Sequence, residues 1–409
     1  MKIVYLNPSG QLGGAELALL DLLASVREAE PEWPLHLIAG ADGPLIARAE
    51  SLGVGASVLP FPHALARLGD AGAGGPAGTQ LSRAALLKKL FSAGSPVLKY
   101  VSELRRLLHE LKPDVIHSNG FKMHVLAARA RPRNSMPLIW HVRDYVTSRP
   151  LMARLLRWHM KRCAAAITNS KSVAEDLRRA CGDDLKIYPV LDAIDLEKFT
   201  PDGARLDLDA LSHLPAAEAG TLRIGLLATM ARWKGHTTFL RALARLPAGL
   251  KFRGYIIGGA LYQTEGSQHT LEELRGEAQR LKLSDRVGFT GFVLDAASAM
   301  RALDVVVHAS TEPEPFGLVI AEAMASGRAL IASEAGGAAE IINAGTDALA
   351  HEPGDAEALA ACLERLVTDA ALRQRLGEAG RLTAEHEFDR ARLATELIPI
   401  YLKTLASEN

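Results

Sequence analysis

Glu314-Pro315-Phe316-Gly317-Leu318-Val319-Ile320-Ala321-Glu322 sets two carboxylates eight positions apart, on either side of a Pro-Phe-Gly turn and an apolar run. Asp304-Val305-Val306-Val307-His308-Ala309-Ser310 precedes it and reads as a short buried strand. A strand, a short loop and a helix start therefore meet here. In open α/β sheets, ligands bind at such junctions, outside the carboxyl ends of the strands. With the run from Leu318 helical, the two acids stand roughly 12 Å apart at about 1.5 Å per residue. That span suits a ligand with hydroxyls at both ends and a diphosphate between them.

Outward from this stretch, short apolar runs alternate with helical patterns along the chain. Strands are expected at 3–6, 35–39, 57–60, 115–118, 138–141, 165–168 and 186–189. A second series is expected at 223–228, 253–257, 287–290, 305–308 and 329–332. Repeated strand-helix units argue for parallel sheets. Between the two series the apolar strands stop, and Thr200-Pro201-Asp202-Gly203 opens a connector. The expected organisation is α/β, with two doubly wound, Rossmann-like domains facing across a cleft. The first spans 1–197, a linker spans 198–222, and the second spans 223–386. Residues 387–409 are expected to form a C-terminal helix able to pack back on either domain, the first among them.

The bulk composition agrees with a large soluble enzyme-sized chain. At 409 residues two cores are the default. With 47 basic against 47 acidic residues, a globally basic nucleic-acid binder is disfavoured. Cys163, Cys181 and Cys362 are scattered without a Cys-x-x-Cys pair, so neither a thiolate metal site nor a disulfide framework is expected. The apolar start is too short for a signal peptide, and no apolar run spans a bilayer. A cytoplasmic protein is expected, with any membrane contact peripheral. Two stretches suit such contact. Residues 83–112 carry seven Lys/Arg against two Glu, and 147–162 carry five bases and no acids. In the second, Leu151, Met152, Leu155 and Leu156 share a helical face opposite Arg154, Arg157 and Lys161. Such a helix lies on an anionic membrane or packs on the core with a solvated basic side. The Gly/Ala-rich stretch 69–78 reads as a solvated loop.

Several further features fit a diphosphate ligand. Ala228-Thr229-Met230-Ala231-Arg232-Trp233-Lys234-Gly235-His236 follows a strand and offers two cations for phosphate oxygens. Gly258-Gly259, then Gly288-Phe289-Thr290-Gly291-Phe292-Val293, lie at strand ends where glycine permits close backbone approach. Ala335-Gly336-Gly337-Ala338-Ala339-Glu340 joins a glycine pair to a helix start, whose amides bind anions. No Asp-x-Asp triplet lies beside these loops to hold a divalent metal, so metal-independent chemistry is expected.

In order and spacing these residues resemble the large family of retaining GT-B glycosyltransferases with the Glu-x7-Glu motif, the family 4-like, group 1 enzymes. The resemblance is strongest from Ile224 to Glu340 and extends to Gly13-Gly14-Ala15-Glu16, Leu138-Ile139-Trp140-His141 and Asp192 through Phe199. It implies that Glu314 bonds donor-sugar hydroxyls, while amides of Phe316, Gly317 and Leu318 hold the sugar and diphosphate. Glu322 would bond the nucleotide ribose and Lys234 would stabilise the departing diphosphate. Phe292 and Val293 would frame the base. Gly13 and Gly14 would let the first loop approach the phosphates, and His141 would face the sugar from the other domain. His117, at a neighbouring strand end, is a weaker candidate. The family usually places an arginine five positions before the lysine, where this chain has Thr229. Arg232 is expected to supply that charge.

The activity implied is transfer of a sugar from a nucleotide-diphosphate sugar to a saccharide, lipid or small-molecule acceptor hydroxyl, with retention and without a cofactor. An epimerase or phosphorylase on the same architecture would need an acid/base set or a Schiff-base lysine, and neither is identifiable. A two-domain sensor that closes on its ligand without turnover is the other alternative. A dehydrogenase is disfavoured, because the first loop lacks Gly-x-Gly-x-x-Gly with an acid about 20 positions on.

Overall fold

The structure is a computed structural model that describes residues 1–62, 83–132, 136–259 and 267–406. The stretch 69–78 and the side chains of Arg83, Lys88 and Lys89 lie outside the described residues. The chain divides into two compact units, Met1–Ala193 with Arg390–Asn409, and Ile194–Asp389.

The first unit is built on seven parallel strands, β1 (Ile3–Asn7), β2 (Leu35–Ala39), β3 (Gly55–Val58), β4 (Val115–Asn119), β5 (Leu138–Val142), β6 (Ala165–Thr168) and β7 (Ile187–Pro189). Their spatial order is β3-β2-β1-β4-β5-β6-β7, so the winding reverses between β1 and β4. Alternate residues face opposite layers. Ile3, Tyr5, Val115 and Ile139 pack under helices Gly14–Ala29 and Ala391–Ala406. Val4, Leu6, Ile116 and Trp140 pack under the helices on the other side, among them Phe121–Ala130 and Lys171–Cys181. Where both faces are covered, most strand positions are apolar, which makes runs such as residues 3–6 visible in the sequence, although His36, His117 and His141 also stand in strands.

The second unit has six parallel strands, β8 (Leu222–Leu227), β9 (Phe252–Ile257), β10 (Val287–Gly291), β11 (Val305–His308), β12 (Ala329–Ser333) and β13 (Leu349–His351). Their order is β10-β9-β8-β11-β12-β13, with the reversal between β8 and β11. One face is filled by Phe239, Leu243, Leu274, Leu359 and Leu363 from helices that follow the strands.

Two boundaries differ from the sequence expectation. The stretch 198–222 is not a free linker but part of the second unit. Asp207 caps helix Leu208–Leu211 by accepting the Ala210 amide at 3.0 Å. Buried Asp209 then accepts Arg253, Arg223 and Tyr255 at 2.6, 3.0 and 2.6 Å. Burial alone would raise the Asp209 pKa, but the Tyr255 and Arg253 bonds outweigh it and hold the carboxyl well below its usual range. Asp207-Leu208-Asp209 is an Asp-x-Asp triplet, and the fold commits both acids to structure. The C-terminal helix runs Ala391–Ala406 rather than from 387, and it belongs to the first unit, where Leu393, Leu397 and Tyr401 join the core.

Candidate functional site

Each unit gathers polar side chains at the carboxyl end of its own switch point. In the second unit the loop after β8 and the loop after β11 meet there. Arg232–Lys234 forms one 3-10 turn that ends at Gly235, whose φ of 75° is left-handed. A Cβ on Gly235 would lie 1.7 Å from the Ala309 carbonyl, so only glycine lets this turn press against the end of β11. The Thr311 amide donates to the Trp233 carbonyl at 2.7 Å and fixes the contact.

The turn delivers Lys234 to Glu314. The Lys234 ammonium donates to both carboxylate oxygens, at 2.9 Å to Oε1 and 2.8 Å to Oε2. It also lies 3.9 Å above the Trp233 ring. Ser310 Oγ donates to Oε2 at 2.8 Å, and His308 Nε2 lies 3.2 Å from the same oxygen. Ser333 Oγ lies 3.3 Å from His308 Nδ1, holding that ring from behind. Glu314 is 7% exposed. Burial alone would raise its pKa, but the Lys234 cation and His308 outweigh burial and hold it well below the usual carboxylate range. It is a carboxylate, an acceptor only.

Backbone bonds place Glu314 as firmly as its side chain. Its amide donates to the Ala335 carbonyl at 3.3 Å, and the Gly337 amide donates to its carbonyl at 2.7 Å. The Gly336-Gly337 loop therefore braces the Glu314 loop. Phe316 is buried against Phe388, edge to face, with centroids 5.9 Å apart. Gly317, at a φ of 98°, turns the chain into helix Leu318–Ala325. The first amides of that helix have no intrahelical partner and carry its positive dipole end. Glu322 is half-buried on the same helix. Phe292, exposed, and Val293 follow β10.

Arg232 goes elsewhere. Its guanidinium bonds both oxygens of Glu273 at 3.1 and 3.2 Å and lies 3.3 Å from His269 Nδ1. In this structure Arg232 pairs with Glu273, on a different side of the turn from Lys234. At 3.0 residues per turn, side chains two apart on a 3-10 turn diverge by about 120°. Beside it, His236 is fully buried, its two ring nitrogens have no side-chain or backbone partner among the described residues, and burial lowers its pKa to about 3.

In the first unit Asn7 and Asn119 end β1 and β4 at the reversal. Asn119 Nδ2 donates to Asn7 Oδ1 at 2.8 Å, and Asn7 Nδ2 donates to Glu16 Oε1 at 3.1 Å. Glu16 Oε2 accepts the Gly13 amide at 3.1 Å, which closes the loop into helix Gly14–Ala29. Gly13 and Gly14 thus sit at the first switch point. His141, on β5, is 2% exposed, and its Nδ1 lies 3.0 Å from His117 Nε2. Arg143, beside it, is ion-paired with Asp192.

The sequence reading did not single out the Ser310 and Ser333 hydroxyls, the His308 ring, the Asn7-Asn119-Glu16 set, or Tyr401. A His and a Ser two apart at the end of β11 were the available signal. Tyr401 lies 284 positions from its partner His117 and leaves none. Among the described residues, no group of three or more His, Cys, Asp or Glu side chains is placed to hold a metal ion. No helix among them is long and apolar enough to cross a membrane. In helix Pro150–His159, Leu156 is buried and Met152 packs on the core, while Leu151 and Trp158 are exposed at 53% and 74%.

Comparison with known proteins matches both units. The model for Glycosyltransferase Family 4 covers residues 13–198, and that for Glycosyl transferases group 1 covers 217–383. The lipopolysaccharide core biosynthesis glycosyltransferase LpsE of Rhizobium meliloti is 33% identical over 43% of this chain and 47% of its own length. A D-inositol 3-phosphate glycosyltransferase of Stackebrandtia nassauensis is 32% identical over 58% of this chain and 53% of its own. The chain thus spans about half the length of these curated relatives. Among solved structures, Anabaena HepE in complex with UDP-glucose superposes with a TM-score of 0.76 at 25% identity, covering 100% of both chains. Sucrose-phosphate synthase from Thermosynechococcus elongatus, at 21% identity and a TM-score of 0.75 over 99% of both chains, shares the fold.

Proposed function

We propose that this chain, which belongs to the group 1, family 4-like glycosyltransferases with the GT-B architecture, transfers a sugar from a nucleotide-diphosphate sugar to an acceptor hydroxyl with retention of configuration and without a metal ion. The observation that carries the reading is the ion pair of half-buried Lys234 with buried Glu314, set beside a helix start at a topological switch point. Cation, hydroxyl acceptor and anion-binding amides are the three things a sugar diphosphate requires. The relative solved with UDP-glucose supports a uridine donor as the first to test.

In this reading Glu314 accepts donor-sugar hydroxyls, and Glu322 accepts the ribose hydroxyls. The amides at Phe316–Leu318 and Lys234 take the diphosphate, and the chain near Phe292 and Val293 borders the base. As the bond from the anomeric carbon to the diphosphate oxygen breaks, its electron pair stays on the diphosphate. Lys234 stabilises the charge that grows there, where preorganisation counts most. The acceptor oxygen bonds the anomeric carbon, and its proton passes to the departing diphosphate. Metal independence rests on Lys234 standing where a cation is needed and on the only Asp-x-Asp triplet being bound up in the fold. Gly13, Gly14 and His141 are assigned to the first unit's share of substrate binding. A saccharide or lipid-linked acceptor fits the relatives' names, and exposed Trp158 and Leu151 beside Arg154 and Arg157 suit peripheral contact with an anionic membrane from the cytoplasm.

The test is a thermal-shift panel of nucleoside diphosphates and their sugars, followed by nucleotide release with acceptor and EDTA present. A ligand that binds only the native state raises its stability. A UDP-sugar should stabilise the wild type, and Glu314→Gln should lose turnover while still melting cooperatively. A fully active Glu314→Gln protein, or no response to any nucleotide, would sink the assignment.

A further inference from the structure

A buried chain of hydrogen bonds runs from the C-terminal helix to His141. Tyr401 OH lies 2.9 Å from His117 Nδ1, and His117 Nε2 lies 3.0 Å from His141 Nδ1. Tyr401 and His117 are fully buried and His141 is 2% exposed. The rings pack at 5.8 and 5.1 Å between centroids. Arg143 Nη2 approaches the same His141 Nδ1 at 3.4 Å. The last atom of the chain, His141 Nε2, is buried and has no protein partner among the described residues.

The proton positions follow from donor counting. A guanidinium has donors only, so His141 Nδ1 accepts. Burial and the Arg143 cation keep His141 well below its ordinary pKa, and burial takes His117 to about 3, so both rings are neutral. A neutral ring that accepts at Nδ1 carries its proton on Nε2. His117 must then donate from Nε2, which leaves its Nδ1 to accept from the Tyr401 hydroxyl. Burial holds that phenol well above its ordinary pKa, so it keeps its proton. One assignment satisfies every pair.

We propose that Tyr401 and His117 are positioning residues that fix His141 as the Nε2–H tautomer, presenting one preformed donor to an oxygen atom of the sugar substrate. The proposal rests on the glycosyl-transfer reading for what meets His141, but not for the tautomer itself. An unpaired buried donor costs stability, and a ligand oxygen would recover that cost. The C-terminal helix, far from the site in sequence, thereby serves the chemistry as well as the core.

Nitrogen-15 spectra of the 409-residue chain with labelled histidine test the tautomer without any assay of activity. His141 should show a protonated, pyrrole-like Nε2 and a pyridine-like Nδ1. A protonated Nδ1 overturns the proposal. Transfer kinetics test the consequence. His117→Leu should lower kcat about tenfold to a hundredfold, the usual range for a group that orients another, with donor KM changed less. His117→Gln should recover most of the loss, because its side-chain amide donates from nearly the place of Nε2. Tyr401→Phe should fall between. Wild-type kcat in His117→Leu, or equal losses in the Leu and Gln variants, would refute the role. If the wild type transfers no sugar while His141 shows the Nε2–H form, the functional reading fails and the tautomer assignment stands.

Discussion

Replacing Lys234 with Met removes the cation and keeps most of the stem. Two charges 2.8 Å apart attract by about 6 kcal/mol at an effective dielectric of about 20. Desolvation of both groups offsets part of that, and breaking a buried pair costs about 3 to 5 kcal/mol in practice. Ser310 and His308 still hold one oxygen of Glu314, so the lower value, about 3 kcal/mol, is expected near pH 8. The deficit should depend on pH. In the wild type the Glu314 pKa is depressed, so its contribution is present above the unfolded value near 4.3 and is lost as pH falls. In the variant, burial acts unopposed by the lysine and raises that pKa, so the buried carboxyl escapes by taking up a proton. Stability then declines as pH rises from about 4.3 to the raised pKa, at roughly 1.4 kcal/mol per unit. The deficit at pH 5 should therefore be smaller than at pH 8. Urea titrations at pH 5 and pH 8, read by amide exchange in β8 and β11, measure both. Turnover should fall about 10²- to 10³-fold, as for other preorganised groups facing a growing negative charge. A deficit equal at both pH values would refute the electrostatic account, and turnover within twofold of wild type would refute the assignment of Lys234.

Asp209→Asn should destabilise the second unit by roughly 3 kcal/mol at pH 7, since two guanidinium groups lose their buried carboxylate. Because the Asp209 pKa is depressed, that difference should be present above pH ~4 and vanish in acid, as paired urea titrations would show. Gly235→Ala should leave a folded protein with turnover down about a hundredfold, because the Ala309 carbonyl forces the Lys234 turn away; normal kinetics would refute the tight-turn argument. Trp158→Ser should weaken flotation on anionic vesicles at low salt without altering thermal stability, and a wild type that fails to float would remove the membrane proposal.

What could be read from the sequence follows the range of the physics involved. Strands such as Leu35–Ala39 and Ala165–Thr168 match the expected ranges because a strand covered on both faces is mostly apolar. The three-residue β13 was not among the expected strands, although the equally short β7 was. Lys234 and Glu314 were each visible beside a strand end. Their pairing was not, since it spans 80 positions and depends on β8 and β11 being neighbours. Arg232 shows the converse. Nearness along the chain suggested a shared task, whereas a 3-10 turn sends it to Glu273. The Asp207-Leu208-Asp209 triplet makes the same point for acids. Its spacing suits a metal, yet Arg223, Arg253 and Tyr255 arrive from β8 and β9 and claim Asp209. A motif names the groups that a site can use. Which of them remain available is decided by partners supplied from other strands, and in both units those partners converge where the winding of the sheet reverses. Under the proposed function, the switch point is thus a better guide than the motif to which acid serves the site. It selects Glu314, whose partners Lys234, His308 and Ser310 all stand at the ends of β8 and β11, over Asp209, whose partners Arg223 and Arg253 stand near the starts of β8 and β9.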